Sequence, residues 1–228
     1  MIEFLFLDLD DTILDFKKAE RIAIGKTIGE FGLEPTEEML HCYHVINKWH
    51  WEQLELGKLT RPEVLQNRFA VLFKEFGVEV DPALCAKTYE KKLSIGHWFL
   101  PGAEETVEYL SKHYRLFLAS NGTASVQKGR MTSANLYRFF EKVFVSQEIG
   151  HNKPAKAYFD GCFAQIPDFD PSKALMVGDS LSSDILGGIN AGIRTVWVNP
   201  NHVENTTDIK PDYEIEALHQ LPALLETL

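Results

Sequence analysis

Apolar residues fall into two textures along this chain. Short apolar runs at 4–7, 115–119, 143–146, 174–178 and 195–198 are bounded by polar or glycine-bearing loops, and they predict buried strands. Between the later runs, helical spacing predicts helices over 103–113, 125–137, 155–165, 183–191 and 215–227. From about 16 to 96 the texture is helical throughout. Ala19, Ile22, Ala23, Thr27, Ile28 and Phe31 keep a helical period that Gly32 closes. A second helix is predicted over 36–56, stopping at Gly57. A third opens at Thr60-Arg61-Pro62-Glu63, with Thr60 as N-cap, Pro62 in the first turn and Glu63 completing a capping box. A fourth is predicted over 81–93.

Strands alternating with helices of this length imply right-handed crossovers and a doubly wound parallel sheet, an α/β fold. The first strand precedes the helical block. That block is therefore expected as an inserted all-helical domain at 15–100, with 1–14 and 101–228 forming the α/β core. Its two ends, near Asp15 and Pro101, must lie together and make the natural hinge.

Composition narrows the function. The chain has 228 residues, enough for a sizeable core, with 45% hydrophobic and 25% charged residues. A formal charge of −10 argues against a nucleic-acid polymer or an anionic membrane as partner. It leaves a small anion possible, because a bound cation and a local lysine can invert the field inside one pocket. Cys42, Cys85 and Cys162 are odd in number and widely spaced, as reduced thiols would be. Residues 2–7 lack the basic start and length of a signal peptide, and a cytoplasmic protein is expected, as a monomer or weak homodimer.

Candidate chemistry sits where predicted strands end. Asp8-Leu9-Asp10-Asp11-Thr12, Ser120-Asn121-Gly122 and Gly178-Asp179-Ser180 each follow an apolar run, with Lys153-Pro154 in a fourth loop and Asp184 five residues past Asp179. In an open parallel sheet such junctions converge at the carboxyl ends of the strands. Asp8 and Asp10, two apart, share a side of an extended segment. One can serve as nucleophile and the other as general acid/base. An acidic turn capping a helix is the competing reading of that segment. A calcium loop of the EF-hand kind is excluded, because Ile13 stands where its turn glycine belongs and Ala19 where its closing glutamate belongs. Ser120-Asn121-Gly122 is by itself compatible with a plain turn, Lys153 with a solvated surface charge, and Asp184 with a helix N-terminal charge. Their joint order and placement carry the argument.

Taken together, these four segments resemble the haloacid dehalogenase superfamily of aspartate-nucleophile phosphohydrolases, over the whole chain, with the helical block similar to that superfamily's cap domain. The resemblance implies Asp8 as nucleophile, Asp10 as general acid/base and Thr12 as support for the loop. It implies phosphate binding by Ser120, Asn121 through its backbone N–H, and Lys153. It implies Mg²⁺ held by Asp8, the Asp10 carbonyl and Asp179, with Asp184 orienting a metal-bound water. The acid at Asp10 favours phosphate esters over haloacids, whose halide leaves without a proton. Leu56 to Arg61, Phe99 to Ala103 and Gly178 to Asn199 resemble the 5'-nucleotidase-like subgroup acting on pyrimidine nucleoside monophosphates, while His151-Asn152 departs from the small or apolar residues expected before Lys153. The implied partner is a small phosphomonoester, with nucleoside 5'-monophosphates ahead of sugar phosphates or phosphoglycolate. Dehalogenation, phosphomutase activity and non-catalytic phosphometabolite binding are the alternatives. Phe16, His44, Trp49 and Trp51 in the helical block are candidates for contacting a base.

Overall fold

The computed structural model describes all 228 residues. Strand β1 (Phe4–Leu7) is followed by α1 (Phe16–Glu30), α2 (Glu37–Glu55), α3 (Arg61–Glu75) and α4 (Pro82–Leu93). Alternation then begins: α5 (Ala103–Ser111), β2 (Arg115–Ser120), α6 (Ala124–Ser133), β3 (Lys142–Val145), α7 (Ser146–Ile149), α8 (Lys156–Phe163), β4 (Ala174–Gly178), α9 (Leu186–Ala191), β5 (Arg194–Val198), β6 (Tyr213–Ile215) and α10 (Leu221–Leu225). All six strands are parallel, in the order β3-β2-β1-β4-β5-β6.

Strand β1 sits in the middle, between β2 and β4, and every residue of it is buried. A strand covered on both faces needs an unbroken apolar run, as Phe4–Leu7 supplies. Its period of two divides the core. Leu5 and Leu7 join Leu116, Leu118, Leu175 and Val177 on one face, while Phe4 and Phe6 join Phe117, Ala119, Ala174 and Met176 on the other. The helices α1 to α4 close around a third cluster built on Tyr43, Phe69, Phe73 and Tyr89, to which Val126 of α6 is added. None of the six strands comes from residues 16–93.

The two crossings between the helical block and the sheet are tied to each other. Leu14 bridges Phe99, Asp15 N–H donates to Trp98 O at 2.8 Å, and Leu100 N–H donates to Ile13 O at 3.0 Å. Glu63 accepts from both the N–H and the hydroxyl of Thr60 at 2.7 Å, so α3 starts with the expected capping box.

Three predicted helices differ. The one expected over 125–137 stops at Ser133, because Asn135 takes a left-handed φ of 53° and turns the chain. The one expected over 183–191 begins as a π turn over Leu181–Ile185 before α9. Residue 215, where the last helix was expected to begin, instead ends the edge strand β6. Ile215 is buried there against β5, and the helix waits for Pro222, whose fixed φ suits a first turn.

Candidate active site

The loop after β1 stays in the sheet for one more residue, since Asp8 N–H donates to Val177 O at 2.9 Å. It then doubles back through Asp11, at a left-handed φ of 57°, to Leu14. Asp8 is 6% exposed. Asp10 turns its carboxylate toward α6, where one oxygen pairs with Arg130 and the other accepts from Gln127 Nε2 at 2.7 Å. Thr12 is fully buried, and its hydroxyl meets no protein hydrogen-bond partner.

Ser120, the last residue of β2, accepts through Oγ from Gly122 N–H at 3.1 Å and Gln127 Nε2 at 2.8 Å. Asn121 uses its side chain as a three-loop tie. Nδ2 donates to Lys153 O and to Ser183 Oγ, and Oδ1 accepts from Lys153 N–H. Lys153 is 1% exposed, and its ammonium donates to Asp8 Oδ1 at 2.7 Å, Asp184 Oδ1 at 2.6 Å and Ala119 O at 2.6 Å. Those three acceptors come from the loop after β1, the end of β2 and the π turn, so one cation staples three sheet-end segments. The other Asp184 oxygen accepts from Ser180 N–H. Gly178 is glycine because a Cβ there would sit 2.1 Å from Asp184 Oδ2. The space beside the Gly178 backbone is therefore filled by Asp184.

Carboxylates are crowded here. Atoms of Asp8, Asp179 and Asp184 lie within 4.8 Å of one another. Burial, helped by Asp184 and Asp10 and opposed by Lys153, pushes Asp8 well above the ordinary carboxylate range. Burial and then Asp184 and Asp8 do the same to Asp179. Burial works against the Lys153 charge, but Asp184 and Asp8 outweigh it and hold the ammonium firmly protonated. Three carboxylates against one lysine leave an excess of negative charge in a buried pocket, and no protein donor reaches the Asp179 carboxylate. Hard oxygen donors so arranged fit a small divalent cation.

A cavity of about 470 Å³ joins these loops to the helical block, large enough for a nucleotide-sized ligand. Asp8, Asp10, Ser120, Asn121, Lys153, Asp179 and Asp184 line its floor; Phe16, His44 and Trp51 line the opposite wall. Trp49 does not. It is 51% exposed in a separate shallow groove beside His50, because residues two apart on a helix point about 200° from each other. His44, Asn47, Lys48, Trp51, Glu52 and Glu55 instead make one stripe facing the cavity.

Several residues in and around the cavity escaped the sequence reading. Arg130 and Gln127 grip Asp10 from one face of α6, and Arg130 Nε also donates to Gly96 O in the second crossing. Their signal was a polar pair at i, i+3 directly after the Ser120 loop. Arg61, at the start of α3, donates to Asn121 O, Gly122 O, Ser146 Oγ and Asn152 Oδ1 at 2.6–3.0 Å. Asn152, a departure from the small or apolar residue expected there, is thus an acceptor for the helical block. Arg68, Asn47 and Glu20 complete the far wall.

The pattern of haloacid dehalogenase-like hydrolases matches residues 5–198. The Bacillus subtilis (strain 168) protein named as HAD-hydrolase YfnB is 39% identical over 97% of this chain and 94% of its own length. Pyrimidine 5'-nucleotidase PynA of Streptococcus pneumoniae is 38% identical over 96% of this chain and 93% of its own. Pyrimidine 5'-nucleotidase YjjG of Escherichia coli is 30% identical over 98% and 97%. The crystal structure of YfnB bound to magnesium superimposes with a TM-score of 0.94 over 98% of both chains, at 39% identity. L-2-haloacid dehalogenase from Xanthobacter autotrophicus, at 17% identity and a TM-score of 0.77, shares the fold. Sheet order, the four converging loops and these relatives place the chain in the haloacid dehalogenase-like hydrolase family.

Proposed function

We propose that this protein is a Mg²⁺-dependent phosphatase for small soluble phosphomonoesters, nucleoside 5'-monophosphates first among them. The observation that carries this reading is the buried Lys153 clamped between Asp8 and Asp184 beside the Ser120 loop. Phosphoryl transfer needs a carboxylate nucleophile and a fixed cation in one dry pocket. The pyrimidine nucleotidases among its relatives support the nucleotide preference.

Lys153 engages Oδ1 of Asp8, and Oδ2 has no protein donor, so Oδ2 is the attacking atom. It forms a bond to phosphorus as the ester P–O bond breaks, giving an aspartyl-phosphate and an alkoxide that takes a proton from Asp10. Asp10 then accepts a proton from water as the water oxygen attacks phosphorus. The P–O bond to Asp8 breaks and inorganic phosphate leaves. In the present arrangement both Asp10 oxygens accept hydrogen bonds, the form suited to a base, so donation to the alkoxide requires Asp10 to let go of Arg130 or Gln127. Ser120 and Lys153 hold phosphoryl oxygens in line with Oδ2. Asp8, the Asp10 carbonyl and Asp179 would hold Mg²⁺, with Asp184 behind them; when bound, the ion neutralises charge on the phosphoryl oxygens. The helices of 15–100 act as a cap that excludes water and reads the leaving group.

A phosphate-release screen with Mg²⁺ tests this reading. Uridine, cytidine, thymidine and adenosine monophosphates are compared with hexose phosphates and phosphoglycolate. A nucleotide should lead in kcat/KM; a sugar phosphate or phosphoglycolate ahead of every nucleotide by about tenfold, ~1.4 kcal/mol of transition-state preference, overturns the substrate assignment.

A further inference from the structure

The wall of the cavity opposite the aspartates carries polar groups that phosphoryl transfer does not use. Arg68 of α3 lines the cavity at 2% exposure. It forms no ion pair, its one hydrogen bond runs from Nη1 to Asn47 Oδ1 at 2.7 Å, and its Nε is buried without a partner. The guanidinium lies over the rings of Tyr89 and Phe69, 5.0 and 5.2 Å from their centroids. A buried guanidinium with one hydrogen bond and no direct ion pair is under-satisfied. A ligand acceptor would satisfy it.

Beside it, one network fixes an aromatic face. Asn47 Nδ2 donates to Glu20 Oε1 at 2.6 Å, which sets the amide so that Oδ1 receives both Arg68 and Trp51 Nε1. The Glu20 Oε2 oxygen is paired with His44 Nδ1 at 2.6 Å. Arg61 lies 5.5 Å from the Trp51 ring centroid, so the indole is held at its N–H and by a cation. Glu90, with a buried unpartnered Oε1, lines the same cavity. The acids on this wall disfavour a second anionic group on the ligand. A donor and an acceptor beside a fixed indole instead suit a planar ring with a carbonyl next to a ring N–H.

Resting on the nucleotide reading above, we infer that this wall is the base-reading subsite: Trp51 stacks on the nucleobase and Arg68 donates to a ring carbonyl oxygen, as uracil and thymine present.

The test compares kcat/KM of wild type, Arg68→Met and Arg68→Lys on uridine monophosphate, adenosine monophosphate, phenyl phosphate and phosphoglycolate with Mg²⁺. Phenyl phosphate offers a ring but no carbonyl, and adenine has no ring carbonyl. Arg68→Met should lose about tenfold or more on the uridine substrate, the worth of a hydrogen bond from a charged donor. It should stay within about threefold on phenyl and adenosine phosphates, and Arg68→Lys should recover part of the loss. Parallel loss on all four substrates would make Arg68 a structural residue only. Selective loss on phosphoglycolate would make it a carboxylate receptor. Either result overturns the inference, as does a uridine preference that survives Arg68→Met; a wild type without nucleotide preference overturns this and the nucleotide reading together. Should Arg68→Met fail to fold, Trp51→Leu must lose uridine monophosphate and phenyl phosphate together while phosphoglycolate is spared, or the subsite is wrong.

Discussion

Asp8 and Asp10 differ in what surrounds them more than in what they are. Asp8 is locked to Lys153 inside the sheet ends, whereas Asp10 hangs from two side chains of α6. Asp8→Asn should therefore abolish turnover on every ester, because no other carboxylate holds the attacking position. Asp10→Asn should be selective. Its loss is expected to be far larger on an alkyl phosphate, whose alkoxide needs a proton, than on an aryl phosphate with a good leaving group; equal losses would remove Asp10 from the acid role. Arg130→Met should lower kcat by about 100-fold with little change in KM, since small misplacement of a reacting group is costly. A pure KM effect would show that Arg130 does not position Asp10. The floor residues were legible in the sequence because each ends a strand or sits in a sheet-end loop. Arg130 and Gln127 were not, because only the fold shows that α6 faces Asp10.

Among the elements, α2 and α3 carry the links between the helical block and the sheet-end loops. Arg61 spans four acceptors in two core loops, and Glu55 at the end of α2 accepts from Ser182 Oγ at 2.9 Å. Burial pushes Glu55 from 4.5 up to about 7, with the Ser182 hydrogen bond pulling the other way. Released from the core it would titrate near 4.5, so closing takes up a proton between those values. The closed arrangement is thus favoured below 4.5 and loses that contribution as pH rises through about 7. A fluorescence pair across the two crossings should report more opening at pH 7.5 than at 5, and Glu55→Gln should flatten the change. A pH response undiminished in that variant would exclude Glu55 as its source. Helical periodicity made α1 to α4 readable one at a time, and the capping box fixed where α3 starts. It did not say which stripe of α2 faces the site, and Trp49 and Trp51 were indistinguishable until their helix was set against the core. The edge strand β6 was missed because three residues are too few to show a period of two.

At the scale of the molecule, three crowded acids make the site a place where function opposes stability. Neutralising one of them, Asp179→Asn, removes repulsion with Asp8 and Asp184. The metal-free variant should melt a few degrees higher than wild type, 2–4 °C being about 1 kcal/mol for a chain of this size. It should also lose most of the rise in melting temperature that Mg²⁺ gives wild type by binding the folded form. A metal-free variant less stable than wild type would argue against repulsion there. Chelation should silence the wild-type enzyme and Mg²⁺ restore it. Ca²⁺ should inhibit, because its longer bonds and larger ligand count disturb alignment at phosphorus.

The central place of β1 also sets an order of events during synthesis. Residues 4–7 leave the ribosome well before their partners, 115–118 on one side and 174–177 on the other. Helices α1 to α4 lie between and find their partners locally, so the inserted domain is expected to collapse before its host. Until then Phe-Leu-Phe-Leu is an unpaired apolar strand, open to chaperones and to its own kind. Nascent chains stalled at about residue 130 should show a protease-resistant helical fragment with residues 4–7 still cleavable, and chains stalled past about residue 215 should protect both. Early protection of residues 4–7 would mean that the sheet starts to form before its second flank exists.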